Sequence, residues 1–377
     1  MPSVLAVQLA EEVHAGGVRL VIAVTGGGSQ AISALLTTPG ASRSILAAAV
    51  PYAAEALVEW IGAEPEEYCS AATARAMAMA AYLKAQNYAA GAVTCGVACT
   101  ASLASDRPKR GDHRAHFAWQ SATTTATLEI NLAKGHRTRA EEEAVVAAAL
   151  LNLIAEACCA ASRVAVPLIE NERLESRHVV APQEHQDLLA GRTDCIPHHQ
   201  AADPIKPRAL FPGAFNPLHE GHKKMAAVAA QILGCPVAYE ISIVNVDKPP
   251  LDFIDIEQRT RLFAAHDEVW LSRAPHFSEK ARLFPGATFI VGADTIERVG
   301  QPRYYGGEAG AMNEALAAIA AAGCRFLVFG RVTAGKFRQL ADLNLPETLA
   351  AICREVPESV FRDDISSTNL RAKSHGE

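Results

Sequence analysis

The chain is short of aromatic residues, which make up 6% of its 377 positions, with only 5 methionines and 3 tryptophans. Half the residues are nevertheless hydrophobic, so its cores are built from Ala, Val, Ile and Leu, which suits helices lying close on a sheet. It lacks any run of about 20 apolar residues, which excludes a membrane-spanning helix. It lacks a basic excess: 35 Lys and Arg face 41 Asp and Glu, for a formal net charge of −6. A dedicated nucleic-acid binder needs a basic face, so that class is excluded, although a local pocket for one nucleotide is not. The start, Met1-Pro2-Ser3-Val4, has neither the charged segment nor the apolar core of a secretory leader. The 9 cysteines are scattered and odd in number, which reads as reduced thiols of a cytoplasmic protein rather than a disulfide framework.

At about 150 residues per domain the length predicts two or three domains. The texture divides the chain into residues 1–160, a connector over 161–207 and residues 208–377. In the first part, Val4–Ala15 reads as a helix. Val18–Val24 is a β-branched run ending at Thr25-Gly26-Gly27-Gly28, a buried strand entering a glycine turn, with a helix expected over 29–36. Helical periodicity continues over 71–85, extended patterns over 91–101, 113–120 and 123–132. Thr138-Arg139-Ala140-Glu141 has the spacing of a capping box ahead of a long helix ending near Ala160. The connector is rich in Pro, Glu, Arg and His, with room for one short helix. Its Cys195, His198 and His199 suggest zinc ligands, but no second paired motif supplies a fourth.

From 208 onward strands alternate with helices: 208–211, 237–244, 288–291 and 326–329 read as strands, and His219 to about Leu233 as a helix. That order implies a parallel sheet with right-handed crossovers. The segment that carries chemistry is Leu210-Phe211-Pro212-Gly213-Ala214-Phe215-Asn216-Pro217-Leu218-His219-Glu220-Gly221-His222. A strand runs into a Gly/Pro turn, and the turn opens a helix. His219 and His222 share one face of its first turn. The helix start offers unpaired N–H groups and a positive dipole, and Gly221 leaves room for close approach, so the place suits a polyphosphate.

This segment resembles the G-x-F-x-P-x-H-x-G-H signature of the nucleotidyltransferase superfamily. Ile365-Ser366-Ser367-Thr368-Asn369-Leu370-Arg371 resembles the I-S-S-T-x-I/L-R motif of nicotinamide and nicotinate mononucleotide adenylyltransferases. Ser366 is a plausible helix cap, and Arg371 follows within the same turn to meet phosphate. Ile290-Val291-Gly292-Ala293-Asp294-Thr295 resembles the G-x-D segment that contacts the nucleotide there, with a helix N-cap as the equal alternative for Asp294. Arg259 and Arg261 read as a solvated face. The resemblance covers about 208–373 and implies a Rossmann-like nucleotidyltransferase domain. It implies His219 and His222 as catalytic residues, with Gly213, Ala214, Phe215, Gly221, Gly292, Asp294, Ser366, Ser367, Thr368 and Arg371 around the nucleotide. It further implies Mg2+ brought with ATP and no metal site of the protein's own.

Other readings are open. Class I aminoacyl-tRNA synthetases also carry H-x-G-H, but this domain is too short and has no K-M-S-K-S-like loop. Cytidylyltransferases for glycerol phosphate or choline phosphate end in an R-T-x-G-I-S-T-T-like motif instead. Pantetheine-phosphate adenylyltransferase lacks the Ser-Ser-Thr-x-x-Arg form. A nucleotide-binding sensor without turnover is the non-enzymatic alternative.

Residues 1–160 resemble the CinA C-terminal family, whose active members deamidate nicotinamide mononucleotide. The resemblance runs through Thr25-Gly26-Gly27, Pro39-Gly40-Ala41-Ser42, Val50-Pro51-Tyr52 and Glu55. Where the family reads E-S-C-T-G-G, this chain has Ile22-Ala23-Val24 before Thr25. Where it reads Y-S-N-E-A-K, Leu57 replaces the basic residue, and Thr94–Cys99 replaces T-G-I-A-G-P-x-G. Ser42 and Tyr52 remain as nucleophile candidates, but a leucine cannot tune one. The expectation is therefore an α/β chain of two domains, CinA-like then nucleotidyltransferase, forming a homo-oligomer. Its substrates are ATP and a pyridine mononucleotide, its products NAD or deamido-NAD and pyrophosphate, and its deamidase activity is lost.

Overall fold

The computed structural model describes residues 4–107, 110–198, 205–245, 248–333 and 336–362. They form two compact units. One is built from the chain up to Gln186 together with the short stretch ending at Asp255. The other starts at Asp187 and resumes at Ile256.

The first unit holds helices α1 (Val4–Ala15), α2 (Ser29–Thr37), α3 (Ala54–Ile61), α4 (Ala71–Tyr88) and α5 (Arg139–Ala157). Its strands are β1 (Arg19–Thr25), β2 (Ile45–Ala49), β3 (Thr94–Ser102), β4 (His113–Gln120), β5 (Thr124–Leu132) and β6 (Leu174–Val180). They form one sheet in the order β2-β1-β3-β4-β5-β6. The first three run parallel and the last three antiparallel. The capping box at Thr138 and Glu141 is present at the head of α5.

Leu9, Val13, Ile22, Leu35, Phe117, Leu150 and Ile154 fill one face of the sheet. The other is lined by small side chains, Ala23, Ala98 and Ala118, under Ala74, Met77 and Ala78 of α4. Small residues let the helix settle close. At Gly96 the approach is closest, because a Cβ there would collide with the backbone of Ala78 and Tyr82. Gly96→Val is therefore expected to destabilise this unit by about 3 kcal/mol, the upper end of overpacking, as a lower urea midpoint of the full chain.

Between the expected domains lie β6, α6 (Gln183–Leu189) and β7 (Cys195–His198). The stretch read as a connector thus contributes a strand to each sheet. Their pattern was hidden because edge strands carry polar residues on both faces: β6, Leu-Glu-Ser-Arg-His-Val-Val, is nowhere fully buried.

The second unit continues with β8 (Ala209–Pro212), α7 (Glu220–Leu233), β9 (Ala238–Ser242), α8 (Phe253–Thr260, its start in the first unit), β10 (Val269–Ser272), α9 (Phe277–Leu283) and β11 (Thr288–Gly292). Then follow α10 (Ala293–Val299), α11 (Ala309–Ala321), β12 (Arg325–Phe329), β13 (Arg331–Thr333), β14 (Lys336–Arg338), α12 (Glu347–Ala350) and β15 (Cys353–Val356). Seven strands form a sheet in the order β15-β12-β11-β8-β9-β10-β7, and β13 pairs only with β14. All neighbours are parallel except β7, which runs against β10. The chain leaves β8 toward β9 and β10, then returns to place β11 on the other side of β8. The strand order therefore reverses between β8 and β11, and such reversals open a crevice at the carboxyl ends of the strands.

Under that edge a buried charge is satisfied. Glu240 on β9 is fully buried, and both its oxygens accept from Lys280 Nζ, at 2.8 and 2.7 Å. Ser272 Oγ also donates to it.

Candidate functional site

At the carboxyl end of β8 the chain turns through Gly213, Ala214 and Phe215 into α7. Phe215 holds φ 44, in the left-handed region, ahead of a cis Asn216–Pro217 peptide. Its ring is 2% exposed and packs edge-on against Phe211, Tyr239 and Phe263 at 5.5, 5.4 and 5.4 Å. A Cβ at position 213 would run into that ring, so glycine is required by the aromatic plug beneath the turn. The Gly213 N–H donates to Glu240 O at 2.9 Å. It therefore belongs to the sheet and is spent for phosphate. Arg259 of α8 donates to Ala214 O at 3.1 Å. This corrects its reading as a solvated residue: it ties down the turn. Arg261 is as expected, exposed and paired with Glu257 at 2.5 Å.

His219 stands at the cap position of α7, and His222 lies one turn in. Their rings stack, with centroids 3.6 Å apart and 23° between planes. Phe211 and Phe215 meet His222 edge-on at 5.9 and 5.1 Å. Gly221 between the histidines is buried. The backbone N–H of His219 donates to His222 Nδ1 at 3.3 Å. An imidazole that accepts at Nδ1 carries its proton on Nε2, so His222 offers an Nε2–H donor.

Burial, then the neighbouring His219, then Arg331 push the His222 pKa down to about 3, from an ordinary 6.5. The ring is neutral at physiological pH. Between those two values the unfolded chain holds a proton that the folded chain lacks, so stability rises with pH across that window and is lost as pH falls through it. In His222→Gln this dependence is absent. Urea titrations at pH 7 and pH 4 are expected to differ between wild type and variant by on the order of 2 kcal/mol, once solvent screening of a half-buried ring is allowed for.

Across the strand reversal, Gly292 closes β11 and opens α10. Asp294 does not cap that helix: the cap position is Gly292. Its carboxylate accepts from Arg331 Nη1 at 3.3 and 3.2 Å and lies 3.7 Å from Arg298. Arg331, just past the end of β12, was missed in the sequence. The sequence shows only an arginine two residues past a strand; that this strand lies beside the one ending at Gly-Ala-Asp is a matter of tertiary pairing. The structure thus gathers Gly213, Ala214, Phe215, His219, Gly221 and His222 at the end of β8. Gly292 and Asp294 stand at the end of β11, and Arg331 lies close enough to bear on His222. Ser366, Ser367, Thr368 and Arg371 lie outside the described residues. His199 does too, and among the described residues no three His, Cys, Asp or Glu side chains form a metal-binding group.

In the first unit the expected nucleophiles are dispersed. Ser42 sits in an exposed short helix and Tyr52 is 66% exposed. Leu57, where the related motif has its basic residue, is 2% exposed in an apolar cluster. The head of α2 is filled from within: Glu143 accepts from Gly28 N, Ser29 Oγ and Gln30 N at 2.9, 3.0 and 3.1 Å. Cys95 and Cys99 are fully buried, and burial raises both thiols well above their ordinary range. Both are inert packing residues.

Residues 210–373 match the family model described as cytidylyltransferase-like. No curated protein matches the chain significantly. Among solved structures, the N-terminal region resembles the competence damage-inducible protein A of Klebsiella pneumoniae, with 20% identity over 40% of this chain and 93% of that one and a TM-score of 0.33. A competence/damage inducible protein of Agrobacterium tumefaciens matches with 19% identity over 42% and 94% and a TM-score of 0.31. A CinA superfamily protein of Escherichia coli matches with 19% identity over 41% and 87% and a TM-score of 0.30. No described helix is long and apolar enough to cross a membrane.

Proposed function

We propose, from the premise that the C-terminal domain is a cytidylyltransferase-like member of the nucleotidyltransferase superfamily, that the chain adenylylates nicotinamide or nicotinate mononucleotide with ATP. The observation that carries this reading is the stacked pair His219 and His222 at the head of α7, placed where the strand order reverses. The 5′-phosphate oxygen of the mononucleotide attacks the α-phosphorus of ATP in line, the bond to the β-phosphate oxygen breaks, and pyrophosphate leaves. No protein nucleophile is required. The protein positions the two phosphates and supplies donors where charge accumulates.

In this reading His222 Nε2–H and His219 donate to the phosphate oxygens. Arg331 adds a fork of N–H donors once the nucleotide draws it from Asp294, whose carboxylate is then released toward the ribose hydroxyls. Ser366, Ser367, Thr368 and Arg371 take the remaining phosphates on the strength of their motif. The carboxylate at the described site, Asp294, is paired with Arg331 and lies near Arg298, and the other groups there are imidazole, guanidinium and backbone N–H, which suit phosphate oxygens rather than a hard cation. Magnesium therefore enters as the counter-ion of ATP, and no step is assigned to it.

The N-terminal domain in this reading has lost deamidase activity, because Leu57 is packed in a core and Ser42 and Tyr52 stand in the open. Deamidation of nicotinamide mononucleotide by the purified chain at a rate comparable to active relatives overturns that part.

The reaction is tested with purified protein, Mg2+, ATP and each mononucleotide, reading pyrophosphate release. Turnover with one or both is expected, and none with either rejects the assignment. The family description favours one competing reading, a transfer from CTP to a phosphorylated alcohol, so CTP with such acceptors forms the second arm of the same assay.

A further inference from the structure

One side-chain pair in the second unit lies apart from the phosphate-binding machinery. Cys195 opens β7 and is paired across the sheet with Ser272 of β10. Lys206 follows just before β8, and its Nζ donates to Cys195 Sγ at 2.8 Å. The lysine is steered rather than loose. Its Nζ sits 4.5 Å over the Trp270 ring and 4.9 Å over Phe284, two buried rings that meet edge to face at 5.4 Å. Attraction of the cation to the ring faces holds it there. Cys195 is half-buried against the same core and is held by its strand. A thiol and an amine are thus each fixed from a different side, within reach of one bond, and still open enough for a small oxidant.

We propose that Cys195 and Lys206 form a reversible covalent link under peroxide. In the first step the sulfur attacks hydrogen peroxide. The O–O bond breaks, the thiol is oxidised to a sulfenic acid, and one water leaves. In the second step Lys206 gives up its ammonium proton to solvent, and the free amine attacks that sulfur. The S–O bond breaks, an S–N bond forms, and the hydroxyl departs as a second water with a proton from the amine. The pair loses two hydrogens and keeps no oxygen, while one peroxide is reduced to two waters. Two equivalents of a thiol reductant reverse it, cleaving S–N and then the mixed disulfide. The link ties the edge strand β7 to the start of β8, the strand that ends in the phosphate-binding turn.

The experiment treats the full-length protein with hydrogen peroxide and maps tryptic peptides. Trypsin cleaves after Arg192 and Arg208 but not between Lys206 and Pro207, so both residues fall in peptide 193–208, which contains no other cysteine. That peptide is expected to lose two hydrogens, to yield no backbone fragments between positions 195 and 206, and to regain its mass with dithiothreitol. Cys195→Ser and Lys206→Arg should each abolish the change. Oxidation of Cys195 to sulfinic or sulfonic acid with Lys206 unmodified overturns the proposal, as does a mass loss that persists in either variant. The readout is independent of catalytic activity, so it stands or falls apart from the proposed reaction.

Discussion

Replacing His222 by alanine is expected to lower the turnover of adenylyl transfer by about 10²- to 10³-fold, the usual cost of removing one preorganised donor from a developing negative charge. The KM for ATP should change far less, because the effect is confined to the transition state. The argument rests on three features of the ring. It is neutral, since burial, His219 and Arg331 drive its pKa to about 3. Its tautomer is set, since Nδ1 accepts from His219 N. Its orientation is set by stacking on His219 and by the edges of Phe211 and Phe215. No reorganisation is then needed when charge appears on the phosphate. Circular dichroism should show an unaltered fold. An unchanged rate would falsify the assigned role.

The second large effect concerns stability. Arg75 of α4, 8% exposed, donates to Asp252 at 2.8 Å and Asp255 at 2.5 Å. Burial works to strip its charge, but the two carboxylates outweigh that and raise its pKa. Asp252 also accepts from Asp255 N at 2.9 Å, capping α8. Phe253 and Ile254 beside it are 1% exposed. Arg75→Met removes the cation and strands a buried carboxylate, at an expected cost of about 3–5 kcal/mol. Adding Asp252→Leu to that variant should recover most of the loss, because an apolar pair of similar size has no charge to desolvate. Urea unfolding of the full chain measures both. If the single variant is as stable as wild type, or the double variant is worse than the single, the pair does not hold this segment.

The site was legible wherever chemistry is local. Gly213 to His222 is one strand, one turn and one helix start, so spacing alone places both histidines on a single face. Arg259 was not legible in the same way. Its partner is the Ala214 carbonyl, 45 residues away, and a backbone acceptor leaves no trace in composition. Arg331 and Asp294 meet only because β11 and β12 lie side by side. The residues around Asp252 were read as part of the nucleotidyltransferase, yet they pack with the N-terminal unit.

The scarcity of aromatics and the wealth of alanine already imply helices packed tightly on sheets, as α4 over Gly96 shows. Periodicity and glycine turns give the strands and helices of both units, because each depends on neighbours within one or two turns of chain. Strand order, the edge positions of β6 and β7, the stacking that sets the His222 tautomer and the burial of Arg75 follow from long-range packing. Those depend on which surfaces exclude water together, and a linear pattern records which residues are apolar but not which of them meet.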